Sequence, residues 1–108
     1  MNLLHDYDVR PMTTEELDRL QEKVYREWMA FDKESRLLDI RYQAIENAMK
    51  QSDPFGQDFE RLAVKWREIE DMADKRFIEG LNYRQSYYNI ERELDRRRRE
   101  RLRPYLGW

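Results

Sequence analysis

One histidine, His5, and no cysteine make up the whole supply of imidazole and thiol in 108 residues. A thiol nucleophile, a thiolate metal ligand and a disulfide are excluded, and an imidazole relay has no second histidine to work with. His5 stands in His5-Asp6-x-Asp8, three ligand-type residues within four positions. On a segment without helical period this cluster has no preset geometry, and it falls short of the about six to eight oxygens a hard cation takes. A solvated arm is the expectation there. Glu68, Glu70, Asp71 and Asp74 form the one dense run of carboxylates, but Lys65, Arg67 and Lys75 interleave with them, as on a water-facing charged helix. Three scattered glycines cannot build a phosphate-cradling loop. The Glu-x-x-His pattern of di-metal bundles has no histidine to complete it. The chain reads as non-catalytic, with no cofactor, no metal and no small-molecule substrate.

Arginine offers different chemistry. Arg96, Arg97, Arg98, Arg99, Arg101 and Arg103 crowd the C-terminal end with a single acid, Glu100. Residues 96–108 therefore stand at +5 and the rest of the chain at −7, within a total of −2. Guanidinium groups bind phosphates and carboxylates through two parallel hydrogen bonds, which suits nucleic acid or an acidic protein surface. Successive helical side chains project about 100° apart, so four consecutive arginines cannot all enter a helix seam, and this end is expected to protrude. Pro104 is expected to close the helix near residue 103. Tyr105, Leu106 and Trp108 follow as an apolar tail of the residue types that anchor interfaces. These arginines with Tyr105, Leu106 and Trp108 are the first candidates for partner binding. Tyr83, Tyr87 and Tyr88 lie near enough to keep base stacking as a second reading.

The elements that position these residues follow from periodicity. Charged residues reach 41%, against about a quarter in ordinary domains, as in long helices. Aromatics at 13% argue against disorder. Thr13 with Glu16 matches a capping box. From about residue 14 to 51, Leu17, Leu20, Val24, Trp28, Phe31, Leu38, Tyr42, Ile45 and Met49 keep one apolar stripe, with Ser35 filling its single gap. Ser52-Asp53-Pro54-Phe55-Gly56 marks a turn over about 52–57. From about 58 to 103 a second stripe alternates spacings of three and four, with Arg76 and Gly80 as its irregular members. Gly80 lowers helix propensity, and the reading is one helix with a kink there. A short connection between two long helices makes them antiparallel neighbours, so the expected fold is an all-α helical hairpin. The organisation reads as an arm over 1–12, a hairpin domain over 13–95, and a basic end with an aromatic tail over 96–108.

Each helix carries more apolar surface than one seam hides. Met72, Phe77, Leu81 and Tyr88 form a second row on the second helix, and Tyr25, Met29, Leu37, Ile40 and Ala44 are the surplus on the first. One hairpin supplies little core, so association into a helical bundle is expected. The functional expectation is a protein-interaction module, an adaptor, inhibitor or assembly component, forming a homodimer or a heterocomplex. Nucleic-acid binding through the arginine end is the alternative, opposed by the acidic body. No apolar run is long enough to span a bilayer and no secretory leader is visible, so a cytoplasmic, membrane-free setting is expected.

Overall fold

The computed structural model describes residues 1–107 and is all-helical among them. Three helices follow in order: α1 (Asp6–Val9), α2 (Thr14–Gln51) and α3 (Gln57–Leu106). The two long helices pack against each other as a hairpin. Trp108 and the side chain of Leu106 lie outside the described residues, and so does the part of the tail reading that rests on them. Among the described residues no helix is long and apolar enough to cross a membrane.

The local signals act as their chemistry requires. Thr13 Oγ1 accepts from the Glu16 amide at 3.1 Å, supplying one of the orphan donors at the start of α2. In the turn, Asp53 accepts from the Phe55 amide through Oδ1 at 3.1 Å and from the Gly56 amide through its carbonyl at 3.0 Å. This Asx turn lets α3 begin at Gln57, one residue earlier than its expected start. α3 then runs unbroken through Gly80, because one glycine costs only about 1 kcal/mol against the packing of a long helix. It also continues past residue 103, with Pro104 inside its last turn. A proline so near the end removes only one backbone bond, and Gly107 at φ 73° provides the left-handed residue that closes the helix.

The chain divides into two compact units, each containing a stretch of both long helices. Unit 1 joins Met1–Met29 to the chain from Glu79 onward, and unit 2 is Ala30–Ile78. In unit 1, Val9, Leu17, Val24 and Ile90 are buried together, with Met1, Leu4, Met12, Leu20, Tyr83, Tyr87 and Leu94 packed around them. Three of the four central residues and most of the inner shell come from the stripes. Val9, Met1, Leu4 and Met12 come from the segment expected to be a solvated arm. That segment is folded: it contains α1 and lies against α3.

In unit 2, Leu38 is the buried apolar residue. The Tyr42 and Trp66 rings pack at 5.4 Å, and burial, reinforced by Glu46 and Glu70, raises the Tyr42 hydroxyl above its ordinary value. Two of the irregular stripe positions, Ser35 and Arg76, meet. Arg76 donates to Ser35 Oγ at 3.2 Å and to the Phe31 carbonyl at 3.3 Å, while its guanidinium lies 4.4 Å from the centre of the Phe31 ring. Glu34 completes the set at 3.1 Å. A cation is tolerated in this seam because its Nε and Nη2 find acceptors and its planar group packs on the Phe31 ring.

Candidate interaction surface

On one side of unit 1, α3 presents a polar stripe to the N-terminal segment. Ser86 is fully buried, and Asn89 and Glu93 nearly so. The Leu4 amide donates to Ser86 Oγ at 2.9 Å, and Asn89 Nδ2 donates back to the Leu4 carbonyl at 2.7 Å. Asn82 donates to the Met1 carbonyl at 3.2 Å, and the Met1 amine lies 3.0 Å from Glu79. Buried polar groups must find partners, and Ser86 and Asn89 find them on the Leu4 main chain. The His5-Asp6-x-Asp8 group is used within the segment and against α3. Asp8 accepts from the His5 amide at 2.8 Å, Asp6 faces Arg92 at 3.7 Å, and the His5 ring stacks on Tyr7.

The arginine end is divided in use. Arg97 does not protrude; it donates to the Met12 carbonyl at 2.6 Å, the Arg10 carbonyl at 3.0 Å and Thr14 Oγ1 at 3.2 Å, so it fastens the segment to α3. Its Nε and Arg96 both reach the buried carboxylate of Glu93, at 3.0 and 2.7 Å. Arg96 also pairs with Glu100, and Arg98 with Asp95 at 2.9 Å. Among the described residues Arg99 and Arg101 have no ion-pair partner, and both are exposed together with Leu102, Arg103 and Tyr105. The sequence signal for Arg97 lay in Asn82, Ser86, Asn89 and Glu93, polar residues spaced four, three and four apart, which lead to Arg97 four further on.

The hydrogen bond from Arg96, with Arg97 assisting against burial, lowers the Glu93 carboxyl from 4.5 to about 2, and the same hydrogen bond raises Arg96 further. A depressed carboxylate contributes stability above its unfolded value, and that contribution declines as pH falls from 4.5 towards 2. Glu93→Gln is therefore expected to lose about 2 kcal/mol at pH 7, a figure discounted for the solvent around Arg96. Urea denaturation should show the difference shrinking between pH 4.5 and 2. A difference independent of pH would contradict the assignment.

The other side of unit 1 is open. At about 100° per residue, Leu81 and Tyr88 lie about 120° around α3 from Asn82, Ser86 and Asn89. Leu81 and Tyr88 are each 45% exposed, and Tyr25 and Met29 of α2 are 49% and 39% exposed. Tyr87 links this surface underneath, with its ring 6.1 Å from Tyr25, 5.9 Å from Trp28 and 6.0 Å from Tyr88. Arg84 sits over Tyr88 at 5.8 Å. Further along unit 1, Asp18 and Gln21 of α2 and Glu91, Asp95, Arg98 and Arg101 of α3 are among the residues that line an open cleft of about 350 Å³. Of the expected second row, Leu81 and Tyr88 belong to this surface. Met72 and Phe77, 50% and 67% exposed, lie in unit 2. Unit 2 also bears exposed Leu37, Ile40, Val64 and Ile78, and Phe55 at the turn is 96% exposed.

Comparison with protein-family models, curated proteins and solved structures finds no match for this chain.

Proposed function

We propose that this chain is a non-catalytic protein-interaction module that binds through the open side of unit 1. The observation that carries this reading is the uneven covering of one helix pair. The N-terminal segment seals one side with specific hydrogen bonds, and the other side presents Tyr25, Met29, Leu81 and Tyr88 in a group. Contiguous apolar surface rimmed by polar residues is characteristic of association sites, and tyrosine is favoured at their centres. These anchors stand on helices with their backbone already fixed, so binding need order only side chains.

A second reading, nucleic-acid binding, draws support from exposed Arg99 and Arg101 beside Tyr105. It is weakened because Arg96, Arg97 and Arg98 already neutralise Glu93, Glu100 and Asp95.

The test is affinity capture from lysate of the native host, with and without nuclease, at two salt concentrations. A bound protein, this chain or another, retained in stoichiometric amount after nuclease is the expected result. Recovery that collapses with nuclease, or that falls steeply with salt as phosphate contacts do, would replace this reading with the nucleic-acid one.

A further inference from the structure

The placement of residues along the C-terminal part of α3, from Tyr88 onward, bears on what covers that part of the open side of unit 1. Tyr88, Glu91, Asp95, Arg99 and Leu102 are spaced three, four, four and three apart. At about 100° per residue they fall within an arc of about 80° on the open side. About Asp95 the row is symmetric in position and complementary in chemistry. Apolar residues stand seven before and seven after it, and opposite charges stand four before and four after it. Tyr88 and Leu102 are 45% and 44% exposed, and among the described residues neither Glu91 nor Arg99 has an ion-pair partner.

From this row we infer that the occupant is a second copy of the chain, with the two α3 helices crossing antiparallel about a two-fold axis at Asp95; the inference rests on the interaction-module reading. In an isologous contact each residue meets its mirror position, so Glu91 faces the partner's Arg99 and Tyr88 faces the partner's Leu102, each twice. Asp95 meets its own counterpart at the axis. Each Asp95 is held by Arg98 of its own chain at 2.9 Å, so two neutral pairs meet there. Asp18 and Gln21 of α2, which line the same cleft, add polar rim to the contact. A partner of a different sequence would need an apolar–basic–acidic–apolar helix face in reverse order, and residues 88–102 supply one. The contact extends over about 22 Å of helix, at the small end of stable interfaces, so the dimer is expected to be reversible with a Kd of about micromolar order.

Sedimentation velocity of the full chain between about 1 and 100 µM tests this, together with a charge exchange. Glu91→Arg and Arg99→Glu should each raise the dimer Kd about 10-fold or more, with helical content unchanged by circular dichroism. The double variant E91R/R99E should return to within about 3-fold of the original, because the two-fold axis places the exchanged charges opposite each other again. A chain monomeric at every concentration, single variants that dimerise normally, or a double variant as impaired as the sum of the singles would each overturn the inference. A monomeric chain that still captures a different protein after nuclease would overturn the second copy and leave the interaction-module reading standing.

Discussion

Replacing Ile90 with alanine is expected to remove about 4 kcal/mol of stability, while Tyr88→Ala, two residues away, removes less than about 1 kcal/mol. Ile90 is fully buried against Val9, Leu17 and Val24, in a core too small for other contacts to close over a vacated space. Deleting three buried carbons loses their transfer free energy and leaves a cavity whose lining has no partner atoms. Tyr88 is 45% exposed, and its ring lies edge-on to Tyr87 and beneath Arg84, so truncation removes surface contacts only. Urea denaturation followed by circular dichroism measures both. The pair separates the residue that holds unit 1 together from the residue offered to a partner. A large loss for Tyr88→Ala would mean that the open side belongs to the fold.

Deleting residues 1–9 is expected to cost about 3 kcal/mol net, enough to lower the unfolding midpoint by more than about 10 °C. The segment contributes buried Val9 and partly buried Met1 and Leu4, and it covers Leu17, Val24 and Ile90. Against this stands the backbone entropy of ordering nine residues, which takes back much of the gross gain. Asn82, Ser86 and Asn89 would turn to water after the deletion, so their hydrogen bonds add little to the difference. The same deletion should create a second apolar side and increase non-specific association. An unchanged midpoint would show that the segment contributes nothing to the stability of unit 1.

Much of the architecture was legible in the sequence because helical periodicity and capping are local. Thr13 and Glu16 marked the start of α2, and Asp53-Pro54-Phe55-Gly56 marked the reversal. The stripes placed Leu17, Val24 and Ile90 inside. Ser35 and Arg76 were legible as exceptions but not as partners, since nothing local tells a gap on one helix that it faces a cation on the other. The N-terminal segment was missed for a physical reason. α3 holds it through the Met1, Leu4, Arg10 and Met12 main chain, and a hydrogen bond to backbone leaves no side-chain pattern in the segment bound. Its apolar residues, Leu4, Val9 and Met12, are spaced five and three, which fits neither a helix nor a strand. The arginine run misled in the same way: its composition suggested a free basic end, whereas Arg97 is directed inward by contacts with residues more than eighty positions away.

The open side of unit 1 was legible only as a surplus of apolar residues. Periodicity named Leu81, Tyr88, Tyr25 and Met29 as extra, but it could not say that one side of the seam would be sealed by residues 1–12 and the other left open. Asp18 and Glu91 carried no signal among so many acids, since a charge on a helix in which every second residue is charged is uninformative until its neighbours are known.

The central claim, binding through the open side of unit 1, is tested most directly by placing charge on that side without disturbing the core. Leu81→Glu/Tyr88→Glu should fold with unchanged helical content, because both residues are nearly half exposed. In affinity capture after nuclease, the account predicts that this variant loses the protein retained by the original chain, whether a second copy or another partner. Undiminished capture by the folded variant would contradict it and would move the binding surface elsewhere on the chain.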